Sequence, residues 1–185
     1  MVKNLAKKAM TTKGQKACFV IDHLVEALGN EPSSSLRRAM ILVDIDQYPG
    51  TTQTGVMERL GVHKSALNRE VEWLFNYGCI MRQESNADGR AVKLMTCGYS
   101  RKALDAALDY FDGEHENLQF FLDQFIKVLK QEKPTLRDAK IVATLYDRKK
   151  ASKQDVMDAL YKGSASTDNR VINELLRDGV IKDVA

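Results

Sequence analysis

A mainly α-helical protein with one small β-hairpin is the fold class this sequence predicts, and three observations predict it. Apolar residues recur at three- and four-residue spacing through most of the 185 residues, the period of helices that bury one face. That period gives way once, to two short strand-like runs, residues 80–85 and 91–96, on either side of the turn sequence Asn86-Ala-Asp-Gly-Arg. The pattern of residues 36–80 then returns about 100 residues further on. Helix, short helix, turn, longer helix and hairpin, in that order, make a winged helix-turn-helix, and the return makes it a duplicated one.

Taken in order, residues 1–12 are a flexible basic arm. Lys3, Lys7 and Lys8, followed by Lys13 and Lys16, meet no acid within residues 1–16, which makes the arm either a plain disordered tail or a phosphate contact. Over residues 13–28, Ala17, Val20, Ile21, Leu24, Val25 and Leu28 form the inner face of an amphipathic helix that Gly29-Asn30 ends. A second helix over residues 35–47 turns Leu36, Ala39, Met40, Leu42 and Val43 inward, and Pro49-Gly50 stops it. Thr51 or Thr52 caps a short helix to residue 59, by accepting from the free N–H groups of its first turn, and Gly61 supplies the turn that follows. His63-Lys64-Ser65 opens the next helix, which runs to residue 76 with Ala66, Leu67, Val71, Leu74 and Phe75 inward. Gly78 stands where a helix end needs a left-handed residue.

After the hairpin, helices over residues 99–110 and 114–131 are separated near Asp112-Gly113. The second carries the stripe Leu118, Phe121, Leu122, Phe125, Ile126 and Leu129, which the pattern assigns to pairing with another chain, hence a homodimer. Asp105, Asp109, Asp112, Glu114, Glu116 and Asp123, with no Lys or Arg over residues 103–126, make a solvated acidic face that phosphates would repel.

The repeat defines the C-terminal third. At a displacement of 100, Leu36, Arg37, Ala39, Ile41, Val56, Met57 and Leu60 fall on Leu136, Arg137, Ala139, Ile141, Val156, Met157 and Leu160. One inserted residue later, Ser65, Asn68, Arg69, Leu74, Gly78 and Ile80 fall on Ser166, Asn169, Arg170, Leu175, Gly179 and Ile181. The chain is therefore expected to comprise a basic arm (1–12), a winged helix-turn-helix (13–98), connecting and dimerisation helices (99–132) and a second helix-turn-helix unit (133–185). That unit has one strand over residues 180–184 and no room for a full wing.

The chemistry of the first unit points to double-stranded DNA. A helix that reads the major groove needs polar side chains in its first two turns. Lys64 and Arg69 can donate to guanine O6 and N7, Asn68 can pair with adenine N6 and N7, and Ser65 can serve a base or a phosphate. His63, at the helix start, is placed for phosphate. At the hairpin tip Arg90 can enter a narrow minor groove, with Asp88 to brace the loop and Gly89 to allow a positive φ. In the second unit Ser164, Ser166, Thr167, Asn169 and Arg170 are the corresponding set, with Lys149, Lys150 and Lys153 just before it.

The segment LGVHKSALNREVEWLFNYGCIMRQESNADGRAVKLMTCGYS resembles the DNA-binding core of the multiple-antibiotic-resistance regulator (MarR) family, over the second half of the helix-turn-helix, the Asp-x-Arg wing and the Thr and Gly after the return strand. More loosely the resemblance covers residues 13–130. It implies a dimeric transcriptional regulator, paired through N- and C-terminal helices, that reads a roughly palindromic operator. The matching positions are Lys64, Ser65, Asn68 and Arg69 on the recognition helix and Asp88 and Arg90 in the wing. The added C-terminal unit departs from the family pattern.

Composition narrows the remaining classes. The net charge is +3, no apolar run reaches the roughly 18 residues of a membrane span, and the N-terminus lacks a signal-peptide core, so a cytoplasmic protein with no membrane contact is expected. Cys18, Cys79 and Cys97 lie far apart and read as reduced, buried thiols. His23, His63 and His115 are scattered, and no metal spacing, phosphate loop or nucleophile motif appears, so neither an enzyme nor a cofactor is expected. Two other functions share the fold: a plasmid or phage replication or partition protein with tandem winged helices, and a winged-helix protein-interaction module whose C-terminal unit holds a protein partner.

Overall fold

The computed structural model describes residues 12–84, 92–148, 150–160 and 165–183. In chain order the elements are α1 (Lys13–Ala27), α2 (Leu36–Gln47), α3 (Gln53–Leu60), α4 (Lys64–Asn76), β1 (Ile80–Glu84), β2 (Val92–Thr96), α5 (Gly98–Leu108), a 3-10 turn (Asp109–Phe111), α6 (His115–Leu129), α7 (Leu136–Tyr146), α8 (Lys153–Asp158) and α9 (Ala165–Arg177). The mainly helical class with a two-stranded antiparallel sheet is as the sequence predicts. Helix starts follow from side-chain chemistry: Thr12, Ser35, Thr52, Thr135 and Ser152 each accept a backbone N–H three residues on, closing a first turn that has no intrahelical partner.

α2 is the central helix. Periodicity alone gives it one apolar face, yet Leu36, Ala39 and every residue from Ile41 to Asp46 are buried. It is covered by α6 on one side and by α3, α4 and β2 on another. Two carboxylates are taken inside with it, and both are partnered. Asp44 accepts from Arg59 Nε at 2.9 Å and Nη2 at 2.7 Å, and Asp46 accepts from Arg101 at 3.2 Å with His115 Nε2 3.0 Å away.

The strands pair in the register Ile80↔Thr96 through Glu84↔Val92. A third segment joins them at the base. Thr51 bridges Leu94, with Gly50 N donating to Leu94 O at 2.9 Å and Leu94 N to Thr51 O at 2.8 Å. The sheet is thereby tied to the start of α3, which fixes its direction relative to α4.

The starts of α2 and α7 meet at Ser35 and Thr135. These residues, one displacement of the repeat apart, face each other in an antiparallel bridge. Leu36 N donates to Pro134 O at 2.9 Å and Leu136 N donates to Ser34 O at 2.9 Å, each bond the image of the other. α1 packs on α7, and α6 packs on α2. The Thr12 hydroxyl at the head of α1 donates to Asp147 at the end of α7 and holds its carboxyl below the usual carboxylate range; the head of α6 meets the end of α2 through His115 and Asp46. Gly78 and Gly179 close α4 and α9 at the same φ of 69°, a conformation that costs glycine little and any other residue more. Buried residues of α1–α4 and of α7–α9 belong to one core.

Three expectations change. Part of the stripe assigned to pairing with another chain is used within this one: Leu118, Leu122 and Leu129 are wholly buried, with α6 lying against α2, while Phe121, Phe125 and Ile126 are half-buried. Phe75 points outward, because the helix turns it to the side where the Arg82 guanidinium covers it at 4.5 Å. The described part of the expected last strand, residues 180–183, is irregular, with no neighbouring strand to pair with among the described residues.

Candidate nucleic-acid interface

The face of α4 follows from its helical period. Leu67, Val71 and Leu74 are buried, and Lys64, Ser65, Asn68 and Arg69 come round on the exposed side. His63 is the N-cap residue, exposed, and its side chain makes no cap bond, so the first turn of α4 has no side-chain acceptor. Gly61, in the left-handed region at φ 62°, sets α4 off from α3. The structure thus brings His63, Lys64, Ser65, Asn68 and Arg69 together on one surface.

The support of this helix is electrostatic as well as apolar. Its acids are engaged by neighbouring arginines. Glu70 accepts from Arg38 Nε at 2.6 Å, and the same guanidinium lies 3.8 Å over the Trp73 ring; Glu72 accepts from Arg82 at 2.6 Å. Lys64 and Arg69 have no ion pair among the described residues, so the exposed face keeps positive charge that its own carboxylates do not cancel. Arg59 braces the other flank. Besides Asp44 it donates to Thr51 Oγ1 at 2.7 Å and stacks on Tyr48 at 4.2 Å, joining α2, α3 and the sheet base. Sequence reasoning singled out none of these arginines; the signal it could have used was an acid on a buried helix face followed by an Arg on the next helix.

Asp88 and Arg90 fall outside the described residues, as does Ser164. The strands that lead to the wing tip carry exposed Gln83, Glu84 and Lys93 near their far ends.

In the second unit the remaining candidates fare unevenly. Ser166 and Arg170 are exposed, and Thr167 and Asn169 are half-buried. Asn169 donates to Ala165 O at 2.9 Å, and Arg170 lies 3.1 Å from Glu174 one turn on. The exposed stripe of α9 is Ser166, Arg170, Asn173 and Arg177, so sequence reasoning missed Asn173 and Arg177. Their spacing opposite buried Val171 and Leu175 was the signal. Asp168 is buried and paired with buried Arg137, which docks α9 on α7.

Elsewhere, burial pushes the thiols of Cys18, Cys79 and Cys97 above the ordinary cysteine value, keeping them in the unreactive protonated form. Among the described residues no group of three His, Cys, Asp or Glu side chains is placed to hold a metal ion, and no helix is long and apolar enough to cross a membrane.

No family model matches the chain, and no curated protein does. Among solved structures it is similar to FabT of Streptococcus pneumoniae, solved in complex with DNA, at 16% identity and a TM-score of 0.36, covering 77% of this chain and 75% of that one. It is also similar to the PcaV transcriptional regulator of Streptomyces coelicolor, at 19% identity and a TM-score of 0.35, covering 70% and 96%. At these scores neither likeness bears on function.

Proposed function

We propose that the protein binds double-stranded DNA in a sequence-specific manner and regulates transcription, with α4 in the major groove and the wing along the flanking backbone. One observation carries this. Lys64, Ser65, Asn68 and Arg69 share the exposed face of a helix whose opposite face is locked in the core and whose acids are already paired. Lys64 and Arg69 donate to guanine O6 and N7, Asn68 pairs with an adenine edge, and Ser65 contacts a base or phosphate. A phosphate sits at His63, where the uncapped first turn of α4 offers backbone N–H groups and the positive end of the helix dipole. Arg90 at the wing tip enters the minor groove, with Asp88 bracing the loop. In this reading residues 1–12 form the basic arm, 13–98 the reading domain, 99–132 the connection and 133–185 the second unit.

A genome-wide binding profile with the purified protein supplies the target duplex. On that duplex Lys64→Ala and Arg69→Ala each lower affinity by about 1–3 kcal/mol and reduce the slope of log affinity against log salt by about 1 for each phosphate that the variant leaves unneutralised. Fluorescence anisotropy reads both, with circular dichroism to show an unchanged fold. Binding like wild type by both variants refutes the assignment of the reading face.

A further inference from the structure

We propose that one chain supplies both reading helices to one DNA site, α4 to one half and α9 to the other through Ser166, Arg170, Asn173 and Arg177, so that the site is not a palindrome. This rests on the DNA-binding function proposed for α4.

The inference begins with symmetry. B-DNA has local two-fold axes perpendicular to its length, and regulators with two reading helices use a matching two-fold to set both on one duplex. Two-fold symmetry normally requires two chains. Here it is internal, in the reciprocal bonds about Ser35 and Thr135 and the exchanged packing of α1 on α7 and α6 on α2. Leu118, Leu122 and Leu129 of α6 are buried in making that internal pair.

The second reading face has suitable chemistry. Its exposed stripe holds two arginines, a serine and an amide, with the Glu174 and Asp178 carboxylates beside it. Where the first unit has Glu72 and Asn76, the repeat places Asn173 and Arg177. Lys153 donates to Asn173 Oδ1 at 3.1 Å, which adds a cation beside the stripe. The Arg170 and Arg177 side chains lie against Glu174 and Asp178 in ion pairs in which the arginines are 67% and 73% exposed, contacts that hold weakly in water and yield to a phosphate or a guanine edge. Helix α9 is oriented by the buried Arg137–Asp168 pair, as α4 is by the arginines around it. The halves are unequal, because the side chains differ at two of four stripe positions and the described residues of the second unit form no strand pair. α4 is therefore the dominant reader and α9 the subordinate one.

The test uses the full chain and the duplex found by binding-site profiling. Light scattering after size exclusion gives the mass of the complex, and hydroxyl-radical footprinting gives its extent. One 20.8 kDa chain per duplex is expected, on a non-palindromic site protected on both sides of its centre. The double variant R170A/R177A is expected to bind at least about tenfold more weakly and to lose protection on one side only, while R170K/R177K restores part of both. Unchanged melting temperatures separate these effects from misfolding. Two chains on a palindrome, or wild-type affinity and footprint for R170A/R177A, overturn the inference and leave α4 as the reader. Loss of the footprint on both sides equally also overturns it. Wild-type protein that shows only sequence-independent binding removes the function proposed for α4, and this inference with it.

Discussion

Arg59→Ala tests how the first helix-turn-helix is held rigid. The Asp44 carboxylate is only 4% exposed and accepts both of its strong bonds from this guanidinium, at 2.9 and 2.7 Å. Removing one partner of a buried ion pair costs about 3–5 kcal/mol, because the other charge is left without solvent or a donor. Arg59 is 31% exposed, so water reaches part of the vacated space and the lower end of that range applies. Loss of the stacking on Tyr48 at 4.2 Å adds about 0.5 kcal/mol, giving a total of about 3.5 kcal/mol. For a chain of this length, each kcal/mol lowers Tm by about 2–4 °C, so a fall of about 7–14 °C is expected. Urea unfolding followed by circular dichroism measures it, in a cycle with Asp44→Ala and the double variant. The cycle should show coupling of about 2 kcal/mol, since removing both charges removes the unpaired one. Arg59→Lys, which keeps the charge and loses the two-pronged geometry, should fall between. A loss below about 1 kcal/mol for Arg59→Ala, or additive single effects, would refute the account.

Three further outcomes are expected. Gly14→Ala places a Cβ 2.5 Å from the Ala143 carbonyl and against the Asp147 carboxylate, where α1 meets α7; it should cost about 1–3 kcal/mol, read as a drop in Tm. Burial raises the Asp138 carboxyl above the usual carboxylate value, so its contribution to stability is full at low pH and is lost as pH rises through the raised pKa. Asp138→Asn can still accept from Thr135, and its stability relative to wild type should increase from about pH 4 to neutrality in denaturant melts; a flat difference argues against the burial effect. Native protein should be alkylated at Cys18, Cys79 and Cys97 far more slowly than unfolded protein at neutral pH, measured by mass spectrometry with iodoacetamide, because all three thiols are held protonated by burial.

Much of this molecule can be read from one dimension, where the physics is local. Helix periods, the Thr52 cap, the turn at Gly61 and the left-handed ends at Gly78 and Gly179 depend on residues within a few positions of one another. So does the exposed polar face of α4, where four polar side chains at helical spacing stand opposite three apolar ones. What the linear pattern hides is which surface meets which. An apolar stripe such as that of α6 states that something covers it, and cannot say whether the cover is α2 or a second chain. Asp44, Asp46 and Asp168 look like surface residues until their arginines arrive from other helices. Phe75 has the spacing of a core residue and lies one helical step too far round to reach the core. The repeated pattern pairs Ser35 with Thr135 along the chain; that the two meet in space is a fact of packing.

The Ser35–Thr135 contact also has a consequence for a cell that holds few molecules. A symmetric dimer falls apart on dilution, and its stability depends on how much of it is present. In the one-chain site proposed above, the two halves meet at an effective concentration of order millimolar, whatever the copy number. They are also independent targets for mutation. A change at Ser35 leaves Thr135 as it was, whereas in a homodimer every substitution strikes both sides of the axis at once.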